Sequence, residues 1–374
     1  MLTLNRSALL AALDVCLTST GDTQSILSHV LVTHVNGTAS IHATDFDARV
    51  VAQLPAEGDA PILAVHGKSL ADALRGIRSE SVTIDRLKDG TWVEVEGGSA
   101  KFRLPGLPPD DYPEAPSIVG GGTFTIPSRA FAALIGKVDD MVSVDETRPS
   151  LNGASMHVCR EESEVRIVIV ATDGHRLSKA EFLGGDAGDM GAPVDSIVHR
   201  KALGTIYKAL TASGAADSAT VRLARGRIVV TVGSVTIDSR GVDETFPDYT
   251  KVMPKSTAML ARVDRAELIN AIKAVQPMTS AKTMITKLDV SETEIVLTTA
   301  NPERGEASCR VGCEHVQDFT KGTTLGANVK YMLQALACLD GASVLVGVSD
   351  QFSPIRITSP DDDGTVHVVM PMRI

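Results

Sequence analysis

One segment of this 374-residue chain recurs three times at nearly equal spacing, and this repetition constrains the fold more than any other feature. The segment reads Ala-Thr-Asp at residues 43–45, Ala-Thr-Asp at 171–173 and Thr-Ala-Asn at 299–301. Two further segments recur in the same order: residues 65–70, 198–203 and 327–332, and the helix starts at 6–10, 129–133 and 265–269. Solenoid repeats span only about 20–50 residues, so this longer period predicts three tandem copies of a whole domain.

Each third of the chain has the same predicted order of helix, strands, helix and strands. Apolar residues at helical spacing form a stripe on both helices of each third, namely Leu9, Leu10, Leu13; Leu70, Leu74, Ile77; Phe131, Leu134, Ile135, Val138; Leu203, Ile206, Tyr207, Leu210; Leu268, Ile269, Ile272, Val275; and Val329, Met332, Leu333, Leu336. Short β-rich runs follow each second helix, at residues 82–85, 92–96, 101–104, 221–223, 228–232, 235–238, 344–348, 355–358 and 366–370.

The expected fold class is α+β, with two helices backed by antiparallel sheet in each repeat. A glycine run at residues 120–122 and the Met253-Pro254 pair mark the joints between repeats. We therefore expect domains at residues 1–120, 121–253 and 254–374.

Composition places the chain among ordinary globular proteins, with 43% hydrophobic and 22% charged residues. No apolar run approaches the ~20 residues that cross a bilayer, and residues 1–6 lack the layout of a secretion signal, so a cytoplasmic protein is expected. The five cysteines are scattered, which favours reduced thiols. Cys309 and Cys313 have no second pair for a zinc site, so neither a metal nor another cofactor is expected.

Positive charge is concentrated on the predicted helices. Five of the six helical windows are net positive, although the chain as a whole has a net charge of −10. The cations are Lys68, Arg75, Arg78, Arg129, Lys137, Arg200, Lys201, Lys208, Lys273 and Lys330. Helices that share one surface would make it attractive to nucleic-acid phosphates without sequence readout. The alternative is that these are the ordinary solvated faces of amphipathic helices.

Several motifs together resemble a known family. Residues 171–177 (Ala-Thr-Asp-Gly-His-Arg-Leu), 246–249 (Phe-Pro-Asp-Tyr), Asn328 with Tyr331, and the ending 368–374 (Val-Val-Met-Pro-Met-Arg-Ile) are similar to the β subunit of bacterial DNA polymerase III, the sliding clamp. The resemblance spans the whole chain and is weakest in the first third. It implies a non-enzymatic processivity factor, a head-to-tail homodimer closed into a ring around duplex DNA.

The resemblance also implies partners and a partner site. The partners would be duplex DNA of any sequence, the polymerase III alpha subunit, a clamp loader, repair polymerases and ligase, the proteins binding through short peptide motifs. The peptide site would comprise Leu151, Thr172, Gly174, His175, Arg176, Leu177, Pro247, Lys251, Val252, Phe352, Pro354, Val368, Met370, Pro371 and Met372. Flexible methionines suit varied partner side chains, and His175 and Arg176 would supply polar contacts at the rim. The alternative is that residues 368–372 form only a final core strand.

Two further sets of residues follow from the charge pattern and the resemblance. The DNA contacts would be Lys68, Arg75, Arg78, Lys137, Arg148, Arg200, Lys201, Lys208 and Lys273. The dimer interface would involve Phe102 and Leu104 from the first third and Val275 and Met278 from the last, with Phe102 as a core residue being the alternative.

Some positions depart from the family pattern. Asp22 stands where a basic residue is common, Pro149 and Ser150 replace an aromatic pair, and Lys251 replaces an arginine whose planar fork it cannot reproduce. Phe352 and Pro354 are bulkier than usual, which suggests a shifted partner preference.

Two enzymatic alternatives lack the sequence motifs that they require. A hydrolase built on Asp173 and His175 lacks a Gly-x-Ser-x-Gly nucleophile motif. Residues 67–69 (Gly-Lys-Ser) imitate a phosphate-binding loop, but Ile62 stands where its first glycine is required. The remaining alternative is a clamp-like scaffold or decoy that binds partner peptides without encircling DNA.

Overall fold

The structure is a computed structural model that describes residues 1–21, 26–59, 62–87, 92–113, 120–212, 214–254, 256–316 and 321–374. Asp22, one of the positions that depart from the family pattern, lies outside the described residues. By its internal contacts the chain divides into two compact units. Unit 1 comprises Met1–Ala132, His157–Arg166 and Leu183–Val242, and unit 2 comprises Ala133–Met156, Ile167–Phe182 and Asp243–Ile374. The middle third of the sequence contributes segments to both units.

The helices and strands follow the order predicted for three repeats. The helices are α1 (Arg6–Cys16), α2 (Gly67–Gly76), α3 (Ser128–Val138), α4 (Arg200–Thr211), α5 (Arg265–Val275) and α6 (Val329–Ala337). The strands are β1 (Leu2–Asn5), β2 (His29–Val35), β3 (Thr38–Thr44), β4 (Ala48–Gly58), β5 (Leu63–His66), β6 (Ser81–Arg86), β7 (Trp92–Gly97), β8 (Ala100–Leu107), β9 (Gly122–Pro127), β10 (Gly153–Glu161), β11 (Glu164–Thr172), β12 (Arg176–Gly184), β13 (Asp186–Asp189), β14 (Val194–His199), β15 (Ser218–Ala224), β16 (Arg227–Val232), β17 (Val235–Val242), β18 (Met259–Asp264), β19 (Ile285–Val290), β20 (Glu294–Asn301), β21 (Gly305–His315), β22 (Thr323–Asn328), β23 (Ser343–Val348), β24 (Ile355–Ser359) and β25 (Asp362–Val369).

In unit 1 antiparallel strands form the scaffold behind helices α1, α2 and α4. Strand β4 pairs with β3 on one side and with β17 on the other, and β17 continues through β16 and β15 to β9. Helix α1 packs against α2, α4, β3 and β4. Its inward residues Leu9 and Leu13 are fully buried, as the helical stripe predicts.

In unit 2 the same arrangement is built around strands β18 to β25. Strand β25 pairs with β24 and with β12, and β19 pairs with β20 and β22, all antiparallel. Helix α5 packs on β20 and β21, and α6 packs on α5, β22 and β25. The predicted α+β class with antiparallel sheet is therefore confirmed.

Side-chain caps explain why the helices begin at equivalent places in the repeats. Asn5 accepts a hydrogen bond from the N–H of Ala8 (2.9 Å), and Asp264 accepts one from Glu267 (2.8 Å). The second helices are capped by His66, His199 and Asn328, each the residue just before the first turn. Each cap satisfies N–H groups that have no partner inside the helix.

The cysteines and the membrane criteria agree with the composition. The five cysteines are free, and burial raises the pKa of the Cys16 thiol to about 12. No helix in the described part of the chain is long and apolar enough to span a membrane. Within that same part, no group of three or more His, Cys, Asp or Glu side chains is placed to hold a metal ion.

Candidate functional site

The candidate site is built on the turn at residues 172–177, which joins β11 to β12 within unit 2. The Thr172 hydroxyl donates to the Arg176 carbonyl (2.6 Å) and accepts from the Gly174 N–H (3.1 Å). Asp173 Oδ1 accepts from the N–H groups of His175 (2.9 Å) and Arg176 (3.1 Å). Gly174 has φ +91°, a left-handed conformation that favours glycine. Asp173 is therefore a turn-forming residue, and it leaves its neighbours Gly174 and His175 exposed.

Arg176 holds this turn against the rest of unit 2. Its Nε donates to Asp173 Oδ2 (3.0 Å), and its two terminal nitrogens donate to Gln334 Oε1 and to the Asp140 carbonyl. The guanidinium lies 4.5 Å from the centre of the Tyr331 ring, on which the His175 ring also stacks at 6.4 Å. Only 8% of the side chain is exposed, and its hydrogen bonds hold the turn in position.

The C-terminal strand brings the last residues of the chain to the turn. In the β12–β25 register Leu177 lies opposite Val368, and the Met370 N–H donates to the His175 carbonyl (2.9 Å). Met372 in turn donates to the Gly326 carbonyl (2.8 Å). A Cβ atom on Gly326 would lie 2.5 Å from the Met372 carbonyl oxygen, so this approach requires glycine. Met370, Pro371 and Met372 are only partly buried.

A buried apolar cluster lies beneath this surface. Val170, Leu177 and Val368 form a buried cluster against which Phe246, Tyr249, Met253, Val168 and Val366 pack. Leu177 is 2% exposed and Val368 is 1% exposed. These two residues therefore support the site from below, and the alternative of a final core strand holds for Val368 but not for residues 370–372.

The rim is formed by two short loops. The Thr250 hydroxyl and N–H donate to Asp248 and thereby lower the pKa of that carboxyl, and the neighbouring Lys251 is exposed. In the turn between β23 and β24, Asp350 accepts from the N–H groups of Phe352 (2.7 Å) and Ser353 (2.8 Å). Phe352 is 72% exposed and Val252 is 42% exposed, so two large apolar side chains face solvent in these loops.

The remaining predicted site residues divide between surface and core. Pro247 is exposed, Pro354 is partly buried and Leu151 is buried at 6% exposure. Arg148, predicted to contact DNA, has its guanidinium beside the turn, because a Cβ on Gly174 would lie 3.0 Å from its Nη1. The structure thus adds Arg148, Gln334 and Tyr331 to the surroundings of the turn. Tyr331 belonged to the motif quoted above, whereas Gln334 carried no recognisable sequence signal.

The predicted DNA-binding cations are mostly exposed on helices. In unit 1 these are Lys68, Arg75, Arg78, Arg200, Lys201 and Lys208, and in unit 2 the exposed helical cation of the set is Lys273. Lys137 is different: its ammonium is 2.5 Å from Asp362, and the side chains are only 16% and 12% exposed. A cation held this way is less available to a phosphate than the exposed cations are.

The predicted dimer contacts are also divided by burial. Val275 is 0% exposed and Leu104 is 8% exposed, so both side chains pack in the cores of their own units. Phe102 and Met278 are partly exposed. The Phe102 ring approaches α2, because a Cβ on Gly76 would lie 3.4 Å from its Cζ.

Fold and site together define a repeated α+β protein with a surface turn, a C-terminal tail hydrogen-bonded to it, and exposed apolar side chains in the nearby loops. Sequence models of the DNA polymerase III beta subunit match the chain in three consecutive parts: the N-terminal domain at residues 1–116, the central domain at 125–248 and the C-terminal domain at 250–373. The chain therefore belongs to the DNA polymerase III beta subunit family, the sliding clamps, which are non-catalytic processivity factors.

Full-length relatives agree with this assignment. The beta sliding clamp of Caulobacter vibrioides is 28% identical over 377 residues, with 100% of both chains covered. A sliding clamp structure from Bartonella birtlesii, bound to griselimycin, has a TM-score of 0.91 and 26% identity, again covering 100% of both chains. A beta sliding clamp structure from Caulobacter crescentus has a TM-score of 0.90 and 28% identity and covers 100% of this chain and 99% of that chain.

Proposed function

We propose that this chain is a DNA sliding clamp that closes as a head-to-tail homodimer around duplex DNA and tethers a replicative polymerase. The main observation behind the proposal is that the Met370 N–H bonds to the His175 carbonyl, which places residues 370–372 beside the 172–177 turn. These three residues are partly exposed and give the surface its apolar character. Family membership supplies the class of function. The chain acts by binding, and its partners perform the chemistry.

Electrostatic attraction to exposed cations and closure of the ring would together hold the DNA. The exposed cations Lys68, Arg78, Arg200 and Lys273 lie on or beside helices, and the remainder of the chain is strongly acidic. Contacts with phosphates carry no sequence information, so such a surface permits movement along the duplex. A closed ring then prevents dissociation even when each contact is weak.

Partner proteins would dock through extended peptides on the surface formed by the 172–177 turn, the tail and the rim. Val252 and Phe352 offer exposed apolar contacts, and Met370 and Met372 can change rotamer to fit different side chains. The proposed partners are the polymerase III alpha subunit, a clamp loader, repair polymerases and ligase. The bulk of Phe352 favours partners with smaller or flatter residues at that contact.

The assembly follows from the same proposal. Phe102 and Met278, which are partly exposed, would contribute to the seam between subunits. Domain limits at residues 1–120, 121–253 and 254–374 place one repeat in each domain. The protein would work in the bacterial cytoplasm, where duplex DNA is replicated.

Deletion of residues 370–374 tests the docking surface. The shortened chain loses the bonds from Met370 and Met372, so a fluorescent peptide from the C-terminus of the polymerase alpha subunit should bind at least tenfold more weakly, a loss of about 1.4 kcal/mol or more. Light scattering on the same sample should still give the mass of the full-length assembly. Unchanged peptide affinity would exclude the tail from the site.

The ring itself is tested by native mass and topology. A dimer of the 39.4 kDa chain should persist at low micromolar concentration. Protein loaded on closed circular DNA should remain bound at high salt and leave when the circle is cut. A persistent monomer, or equal retention on circular and linear DNA, would favour a scaffold that does not encircle DNA.

A further inference from the structure

One acidic residue, Asp14, lies among the helical cations of unit 1. It is on the exposed face of α1, where its Oδ1 is 3.4 Å from Nη2 of Arg75 on α2. Lys208 of α4 donates through its ammonium to the Asp14 backbone carbonyl. Arg75 also pairs with Asp72 at 2.8 Å. Two cations from two other helices therefore converge on the same residue of α1.

The equivalent helices carry no acid at this position. Helices α1, α3 and α5 each have eleven residues, and Asp14, Gly136 and Lys273 are the ninth residue of each. Lys273 is exposed, as Asp14 is. The charge at one helix position is thus negative in the first repeat, absent in the second and positive in the third.

We propose that Asp14 substitutes for a DNA phosphate in unit 1 and thereby weakens the grip of this helical face on duplex DNA. The proposal rests on the proposed function, since Arg75 and Lys208 matter here only as DNA contacts. A duplex phosphate that approaches Arg75 must displace the Asp14 carboxylate, so part of each contact's energy is lost in the exchange. The Arg75 and Asp14 side chains are 55% and 50% exposed, which makes their pair weak and quickly replaceable.

A second ion pair in unit 1 also places a carboxylate on a predicted DNA-binding cation. Lys201 on α4 donates to Asp45 Oδ2, and the Asp45 side chain is only 12% exposed. Two of the six predicted DNA-binding cations of unit 1 (Arg75 and Lys201) therefore already pair with a carboxylate, and a third, Lys208, contacts the Asp14 backbone carbonyl. Asp14 is the better test because its side chain accepts no hydrogen bond from the backbone in the described part of the chain, whereas Asp45 also holds a turn through the N–H groups of Asp47 and Ala48.

The expected effect follows from the weakness of exposed ion pairs. Such a pair is worth at most about 1 kcal/mol, so Asp14→Asn should strengthen binding of a short labelled DNA duplex by up to about fivefold at low salt. The slope of log affinity against log salt should become steeper by about 0.9 for each additional phosphate contact. Both quantities come from fluorescence anisotropy titrations over a salt series with the full-length protein.

Two control variants separate this mechanism from a general change in net charge. Glu164→Gln on β11 removes the same charge from an exposed strand residue and should leave the affinity unchanged. In an Arg75→Gln background, Asp14→Asn should strengthen binding less than it does in the wild type, because the cation that Asp14 neutralises is gone. A purely structural role for Asp14 would not produce this coupling.

The possible outcomes separate the role of Asp14 from the proposed DNA binding on which it rests. A steeper salt slope in Asp14→Asn but not in Glu164→Gln supports the inference. If the wild-type protein binds the duplex with the usual salt dependence and Asp14→Asn behaves like Glu164→Gln, the inference alone is overturned. If the wild-type protein shows no salt-dependent binding, the proposed DNA contacts fail and the inference fails with them.

Discussion

The turn at residues 44–49 in unit 1 and the turn at 172–177 in unit 2 share one backbone and differ in their side chains. In each, a threonine hydroxyl accepts from the N–H two residues later, at 3.1 Å for both Thr44 and Thr172. In each, an aspartate Oδ1 accepts from the second and third N–H groups after it, at 3.1 and 2.8 Å for Asp45 and at 2.9 and 3.1 Å for Asp173. The two turns are copies of one structure.

The strand that closes each turn is also repeated. The Arg240 N–H donates to the Asp47 carbonyl at 2.8 Å, and the Met370 N–H donates to the His175 carbonyl at 2.9 Å. A methionine in unit 2 thus corresponds to an exposed arginine in unit 1. The two copies share this backbone arrangement, and the residue that donates to the turn is a methionine in unit 2 and an arginine in unit 1.

The acid of each turn is neutralised in a different way. Asp173 binds Arg176, which is part of its own turn, whereas Asp45 binds Lys201 from helix α4. The residue equivalent to Arg176 in unit 1 is Ala48. The comparison teaches that a duplicated fold can confine docking to one copy through a few side chains, and the following predictions test that conclusion.

The largest difference should come from removing Arg176. Arg176→Ala would leave Asp173 Oδ2 and the Gln334 and Asp140 oxygens without their buried donor, and should destabilise unit 2 by about 3 kcal/mol. Urea unfolding followed by circular dichroism measures this loss. Arg240→Ala, whose side chain is 62% exposed, is the matched control and should change stability by less than about 0.5 kcal/mol. Equal effects of the two variants would contradict the role given to Arg176.

A pH effect should follow from His367, which lies beside Ser178 on the strand behind the site. Burial lowers its pKa from 6.5 to about 4, and neither ring nitrogen has a hydrogen-bond partner among the described residues. Between these values the unfolded chain binds a proton that the folded chain does not. Unit 2 should therefore lose stability as pH falls from 6.5 towards 4, by about 1.4 kcal/mol per pH unit.

His367→Leu should remove this slope from unit 2. Hydrogen exchange of unit 2 peptides, corrected for the intrinsic pH dependence of exchange, measures the change. Unit 1 should keep its own slope, because burial also lowers the pKa of His42 to about 4. A variant with the wild-type pH dependence in unit 2 would show that another group is responsible.

A smaller effect is expected from exchanging the residues at the tips of the two turns. Phe46 has φ +76°, where a bulky residue is strained, and Gly174 has φ +91°. Phe46→Gly should stabilise unit 1 by up to about 1 kcal/mol, since relief of strain exceeds the entropy cost of glycine. Gly174→Ala should destabilise unit 2 by about 1–2 kcal/mol. Thermal unfolding of both variants checks the opposite signs, and shifts of the same sign would show that the two backbones are not equivalent.

The smallest predicted effect concerns the two exposed phenylalanines. Phe352→Ala should weaken binding of the polymerase-derived peptide by about fivefold, or about 1 kcal/mol, because Phe352 lies in a rim loop of the docking surface. Phe46→Ala, which removes a ring that is 61% exposed from unit 1, should leave that affinity unchanged. Loss of peptide binding in Phe46→Ala would mean that both copies of the turn dock partners.

Much of this was accessible from the sequence. The three repeated segments gave the number of copies and the order of their elements, and the helical stripes located the buried faces of the helices. The family resemblance correctly indicated a sliding clamp. Repeats and helical periodicity can be recognised without the structure, because they depend only on the order of residues along the chain.

Contacts between residues distant in the chain could not be predicted from the sequence. Lys137 and Arg176 were predicted as accessible cations, but Asp362 and Asp173 with Gln334 enclose them. Val275 and Leu104 were predicted at an interface, but each is part of a core. A charged or apolar residue has the same pattern in sequence whether it faces solvent or an opposite strand, so only the packed structure separates the cases.

The sequence by itself determined three repeats of an α+β unit and the class of protein. Only the tertiary structure decided which cations remain free, because free or paired depends on an acid that may lie hundreds of residues away, as Asp362 does from Lys137. Only the tertiary structure also revealed that Asp14 lies between cations of two other helices. These ion pairs join residues that are distant in the sequence and come together only when the chain folds.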